Sequence, residues 1–230
     1  MGLYLKKVFP GAALGIWEIT ETLEEIYSMI QLSEDEYNIF SCLKSTSRKR
    51  QWLSYRLILP HLVKPKDLSS INYDKFGKPF LKNGIKHISV SHSGKFATLI
   101  ASTKHLVGVD IEQIHPKITS LAHKFINDYE LGNISGKHEL ESLYLIWTGK
   151  EAIYKLYGKR DILIKDHINI CPFDFNGQGT IIGEINTNKT KKQFYINYQT
   201  IENYLLTYII DNDKLYHEEK KLDDISFINY

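Results

Sequence analysis

An α+β fold built from two similar halves, each a long helix packed on antiparallel strands, is the architecture this sequence predicts. Three observations lead there. Apolar residues recur at helical spacing over two long stretches, about Arg48–Val63 (Trp52, Leu53, Leu57, Leu62) and about Glu139–Tyr157 (Leu143, Ile146, Trp147, Ile153, Leu156). Short alternating segments bounded by turn residues follow each stretch. Residues 88–102 and 196–210 are both 15-residue strand–turn–strand segments, with Phe96 and Tyr204 at matching places. The halves are expected at residues 1–105 and 106–230, with a cleft at their junction, where ligand sites are common.

In chain order, a first strand is expected near residues 12–19, followed by a short helix over Glu21–Ile30. Ser33-Glu34-Asp35-Glu36 is a capping box that opens a second helix. In the helix over 48–63, Pro60 falls in the last turns and leaves that end open. Phe76-Gly77-Lys78-Pro79 and Asn83-Gly84 read as turns. Strands are expected over Ile88–Ser91, Phe96–Ala101 and Val107–Glu112, with His92-Ser93-Gly94-Lys95 turning the chain. In the second half they fall near 180–185, 193–198 and 204–210, and Lys189-Thr190-Lys191-Lys192 reads as a solvated turn.

Composition narrows the function. Hydrophobic residues make up 43% and charged residues 24%, enough for a packed core. Lys plus Arg number 29 against 27 for Asp plus Glu, a net charge of +2, so nothing draws the whole chain to nucleic acid and any anion site is local. Cys42 and Cys171 alone supply neither a disulfide framework nor a zinc pattern, and read as free thiols of a reducing compartment. No apolar run approaches the roughly 18–20 residues of a membrane span. Pro10, Gly11, Glu18 and Glu21 break up the N-terminal apolar stretch, which argues against a signal peptide. A cytoplasmic protein is expected.

Three segments carry the chemistry. In Gly108-Val109-Asp110-Ile111-Glu112, residues two apart on a strand face one side, so Asp110 and Glu112 project together. Their repulsion is relieved by a hard cation, and paired oxygens with substrate phosphates suit Mg²⁺. In Trp147-Thr148-Gly149-Lys150-Glu151-Ala152-Ile153-Tyr154-Lys155, Glu151 and Lys155 share a helix face at i and i+4, with Glu151 above Trp147. In Ser89-Val90-Ser91-His92-Ser93-Gly94, hydroxyls and an imidazole flank a glycine turn suited to a phosphate or ribose. Lys78 and Arg48-Lys49-Arg50 lie upstream as further cations. Taken singly, each segment has an ordinary alternative: a solvated acidic pair, a surface ion pair, a polar hairpin.

Together, Gly-x-Asp-x-Glu, then Trp-x-x-Lys-Glu-Ala-x-x-Lys, with Ser-His-Ser upstream, closely resemble the 4′-phosphopantetheinyl transferase superfamily, nearest its Sfp-type members. The resemblance extends to Gly77-Lys78-Pro79 and Ala122–Phe125. It departs in the 36 residues (111–146) between Asp110 and Trp147, somewhat short for the family, in Gly149 within the signature helix, and in Gly158-Lys159-Arg160-Asp161 after it.

The resemblance implies a pseudo-dimeric α+β fold with coenzyme A in the cleft between the halves. The reaction it implies moves the 4′-phosphopantetheine arm to a serine of an apo acyl, aryl or peptidyl carrier protein and releases 3′,5′-ADP. Asp110, Glu112 and Glu151 would hold Mg²⁺. Lys150 and Lys155 would contact the diphosphate, Lys155 steadying the leaving phosphate. Ser91, His92 and Lys78 would meet the nucleotide end, with Arg50 preferred there over Arg48 or Arg56. Glu151, or second Glu112, would take the serine proton. A monomer would suffice, since both halves are in one chain. Rival readings are a Mg²⁺-dependent phosphodiesterase or nuclease, and a nucleotide- or RNA-binding module suggested by Arg48-Lys49-Arg50-Gln51-Trp52.

Overall fold

The computed structural model of the protein describes residues 2–81, 87–132, 134, 138–188 and 190–211. Strands are β1 (Leu3–Phe9), β2 (Ala12–Glu18), β3 (Ile71–Tyr73), β4 (Pro79–Leu81), β5 (His87–Ser93), β6 (Phe96–Ser102), β7 (Leu106–Gln113), β8 (Ile168–Ile170), β9 (Gln178–Asn186), β10 (Lys191–Ile201) and β11 (Tyr204–Asp211). Helices are α1 (Leu23–Ser28), α2 (Glu34–Ser41), α3 (Thr46–Leu62), α4 (Ile118–Leu121), α5 (Asp128–Leu131), α6 (Glu139–Tyr157) and α7 (Ile164–His167).

The strands form antiparallel sheets. A four-stranded sheet has the order β1-β2-β6-β5 and a five-stranded sheet the order β7-β11-β10-β9-β8, while β3 and β4 pair as a separate ribbon. Helix α3 lies on the first sheet, burying Leu53 and Ile58 with Trp17 and Leu99. Helix α6 lies on the second, where Leu145 and Ile153 join Ile170, Ile196 and Leu205. Burying such a side chain stabilises by roughly 1.5–3 kcal/mol, so each helix is held mainly by its sheet. The other faces of the sheets meet through a third cluster containing Leu14, Ile16, Phe96, Val109, Ile111, Tyr204 and Leu206. Phe96 and Tyr204, placed alike in the two strand–turn–strand segments, touch there edge to face at 4.9 Å between centroids.

Several boundaries differ from the sequence reading. Strand β1 precedes the expected first strand, because Pro10-Gly11 turns the chain back (Gly11 has φ +80°) and Lys6 and Lys7 sit on an edge strand where charge is tolerated. The ribbon β3–β4 and strand β8 are only three residues per strand, too short for alternation to show. Lys191 and Lys192 are not a turn: both belong to β10, and Lys192 pairs with Asp211 at 2.7 Å. The proposed turn at Asn83-Gly84 lies outside the described residues. No helix among the described residues is long and apolar enough to cross a membrane.

Candidate active-site cleft

Strands β5 and β7 belong to different sheets yet run side by side, and the C-terminal half of α6 passes beside them. Glycine decides how close that helix comes. A Cβ on Gly108 of β7 would stand 2.0 Å from the Ala152 carbonyl oxygen, so only glycine lets α6 settle against β7. Gly149 serves the same packing: a Cβ there would press on Ile170 and Ile196 at 3.2 and 3.4 Å. That contact explains a glycine inside a helix, where it costs about 1 kcal/mol relative to alanine.

The result is a cleft of about 970 Å³, lined by Arg48, Lys78, Ser91, His92, Asp110, Glu112, Trp147, Glu151 and Lys155, among others. This lies at the upper end of the roughly 300–1,000 Å³ usual for ligand pockets. The three acids expected to act together are therefore on one cleft, two from β7 and one from α6. Asp110 is 2% exposed. Its Oδ1 accepts from the Ser91 hydroxyl at 2.6 Å and from Lys155 Nζ at 2.6 Å. Its Oδ2 is buried and has no hydrogen-bond partner. The Ser93 hydroxyl donates to Glu112 Oε2 at 2.7 Å. Burial first, and then the charge of Asp110, push Glu112 above the usual carboxylate range and Glu151 up to about 7.

Cations and an imidazole also line the cleft. His92 is in contact with the Arg48 guanidinium through Nε2. Burial, reinforced by Arg48 and Lys155, brings His92 down to about 4, so its ring is neutral at pH 7 and accepts from Arg48. Lys78 Nζ donates to the Leu156 carbonyl at 2.5 Å, near the C-terminal end of α6, where a cation is favoured. Burial lowers Lys78 to about 8.

Two expectations need correction. Lys150 does not reach the cleft. It is fully buried, its Nζ paired with Glu130 at 2.7 Å and donating to the Phe125 carbonyl at 2.7 Å. Successive helix residues point about 100° apart, so Lys150 and Glu151 cannot serve one face. Arg50 also lies elsewhere: Nη2 donates to the Ile19 carbonyl, and its neighbours are Gln51, Gly94 and Lys95. Arg48, two residues earlier and so on the other side of α3, lines the cleft instead, as does Arg160 beyond the end of α6. Arg56 is buried against Glu36.

The expected Mg²⁺ site is judged by its donor set. Among the described residues, no group of three or more His, Cys, Asp or Glu side chains is arranged as metal ligands. At Asp110, Oδ1 is already paired with the Lys155 ammonium at 2.6 Å. The donor set nonetheless fits a hard divalent ion. The orphaned Asp110 Oδ2 has no hydrogen-bond partner, and the carboxyls of Glu112 and Glu151 are raised by burial and then by the charge of Asp110, both of which a cation would offset.

Fold and cleft together define a class: mixed α/β protein, antiparallel sheets carrying helices, with an acid–lysine cleft along the β5–β7 seam. Residues 106–209, from the start of β7 almost to the end of β11, match the family model of the 4′-phosphopantetheinyl transferase superfamily. The resemblance of the chain to that superfamily is thereby shown. The curated relatives agree. The chain is similar to the 4′-phosphopantetheinyl transferase AcpT of Escherichia coli K12, 33% identical over 117 residues, which is 48% of this chain and 59% of the relative. AcpT of Salmonella typhimurium is 33% identical over the same length, 48% of this chain and 60% of the relative. The 4′-phosphopantetheinyl transferase gsp of Aneurinibacillus migulanus is 30% identical over 117 residues, 48% of each chain. The chain thus spans about three-fifths of the AcpT proteins it matches and about half of gsp.

Proposed function

We propose that this chain transfers the 4′-phosphopantetheine group of coenzyme A to a serine of an apo carrier protein, with coenzyme A in the β5–β7 cleft. The observation that carries the reading is the convergence of Asp110, Glu112, Glu151 and Lys155 on one cleft, all four within residues 106–209 that match the superfamily model. The parallel order of the two sheets, each with its long helix, supports a pseudo-dimeric arrangement with halves dividing near residue 105. Free thiols at Cys42 and Cys171 fit a cytoplasmic location.

Asp110, Glu112 and Glu151 would hold Mg²⁺, which when bound supplies neutralising charge to the diphosphate. The residues of the chain do the rest. Lys78, Arg48 and His92 form a wall suited to the nucleotide phosphates, His92 contributing a neutral ring and Arg48 a fixed charge. The carrier serine Oγ attacks the β-phosphorus, forming the new P–O ester bond as the bond to 3′,5′-ADP breaks. Lys155, already directed at the carboxylate cluster, stabilises the charge that grows on the departing phosphate. Glu151 is the candidate for the serine proton. In the metal-free chain, burial and then the charge of Asp110 raise its carboxyl to about 7, so it takes a proton more readily than an ordinary glutamate.

The direct test is mass gain on the serine of an apo carrier incubated with the chain, coenzyme A and Mg²⁺. Asp110→Ala is expected to keep the fold by circular dichroism and lose transfer by at least about 10²-fold, the scale of losing a transition-state contact. Lys155→Ala should retain coenzyme A binding while transfer slows comparably. Full activity in Asp110→Ala ends the assignment; binding that falls as far as turnover makes Lys155 an anchor instead. Charge on Lys78 gives a pH signature. A lysine lowered to about 8 is charged below that pH and neutral above it, so coenzyme A affinity by calorimetry should fall as pH rises through 8. Lys78→Arg, charged throughout, should flatten the fall. An unchanged slope in that variant removes Lys78 from the anion wall.

A further inference from the structure

Alternate residues of β5 place three serines, Ser89, Ser91 and Ser93, against β7 across the boundary between the two sheets. The period of two is what a strand imposes on one face. Their partners step along β7 in register. Ser89 Oγ accepts from the Val109 N–H at 3.1 Å, Ser91 Oγ donates to Asp110 Oδ1, and Ser93 Oγ donates to Glu112 Oε2 while accepting from the Gln113 N–H at 3.1 Å. β5 and β7 are not partners in a backbone ladder, so these hydroxyls act in place of one. Two of the three also fix a carboxylate. Ser91 occupies Oδ1 of Asp110 and leaves the buried Oδ2 without a partner.

We propose that Ser93 is a positioning residue for the carboxylate pair: it fixes Glu112 by Oε2, so that Asp110 and Glu112 each present one oxygen to a shared divalent cation. The inference rests on the metal reading above and adds to it a residue of the first sheet that touches neither substrate nor reacting atoms. Ser91 does the same for Asp110 but also accepts from Lys155 Nζ at 2.9 Å, so its removal has two consequences. Ser93 contacts no lysine in this way, and it is the group of β5 that holds Glu112, which Trp147 of α6 also reaches. Ser89, which bonds only backbone, separates a positioning role from a seam between strands.

The test is Mn²⁺ uptake by the full chain without coenzyme A, followed through the paramagnetic signal of the free ion. Oriented ligands lose about 10–100-fold in metal affinity when the group that holds them is removed. Ser93→Ala should therefore bind Mn²⁺ at least about tenfold more weakly than wild type. Ser93→Thr, which keeps the hydroxyl, should recover most of the loss. Ser89→Ala should lower the thermal midpoint yet leave Mn²⁺ affinity within about twofold, below the range expected for a ligand-holding group. Wild-type affinity in Ser93→Ala, or equal losses in Ser89→Ala and Ser93→Ala, overturns the inference while the metal reading stands. A wild-type chain that takes up no Mn²⁺ overturns the metal reading, and this inference with it.

Discussion

Glu36 and Glu130 occupy equivalent places in the two parts of the molecule but pair with different cations. Each is the fourth residue of a capping box, Ser33–Glu36 ahead of α3 and Asn127–Glu130 ahead of α6. Each is paired with a cation twenty positions later, on the long helix: 56 − 36 and 150 − 130 both give 20. Each also accepts a backbone N–H from a short strand, Ile71 at 3.2 Å and Ile170 at 2.8 Å. A buried carboxylate thus ties cap, long helix and strand together in both places.

The difference lies in the cation. Lys150 fits a closed slot, with Glu130 and the Phe125 carbonyl as acceptors and no exposed surface on either partner. Arg56 has more donors than its site accommodates: Nε meets Glu36, Nη1 meets the Trp52 carbonyl, and Nη2 is buried without a partner. Its guanidinium lies over the Trp52 ring, 3.1 Å from the centroid. An aromatic wall suits the flat, weakly hydrated guanidinium; a fully enclosed slot suits the compact ammonium. The comparison also separates two neighbours in the signature helix, since Lys150 belongs to this framework and Glu151 to the cleft.

The largest expected effect is from removing a carboxylate. Glu130→Ala leaves the Lys150 charge buried and unpaired and should cost about 3–5 kcal/mol in urea unfolding. Glu36→Ala should cost less, because Arg56 keeps the Trp52 carbonyl and ring. Equal losses would erase the distinction between the two slots. Exchanging the cations sharpens it. Lys150→Arg forces extra volume and unpaired donors into a slot without exposed surface, and should cost about 1–3 kcal/mol. Arg56→Lys gives up the ring contact but also the orphaned Nη2, and should change stability by less than about 1 kcal/mol. A tolerated Lys150→Arg beside a costly Arg56→Lys would reverse the comparison.

Much of this was legible from local pattern. The helix over 139–157 and the Ser33–Glu36 cap follow from periodicity and a four-residue signal, and the structure has both. The pairing of Asp110 with Glu112 follows from strand alternation, and both line the cleft. Lys150 and Arg50 are expected at the cleft only through the family resemblance, and both lie elsewhere. Helical rotation was the available signal, since neighbours one or two apart cannot share a face. The roles of Glu36 and Glu130 had no such signal, because their partners lie twenty and more residues away.

Order along the chain, the alternation of apolar and polar residues and a few turn and cap residues were enough to place the two long helices and the longer central strands, because those choices depend on near neighbours; the edge strand β1 and the three-residue strands β3, β4 and β8 carried no such pattern. Which charge meets which was left to the packing of α6 on β7 and of β5 beside it. Lys155 on Asp110, Ser93 on Glu112 and Lys150 on Glu130 join residues 45, 19 and 20 positions apart. A buried charge takes whatever partner the assembled layers bring within about 3 Å, and that distance is fixed only when the layers close.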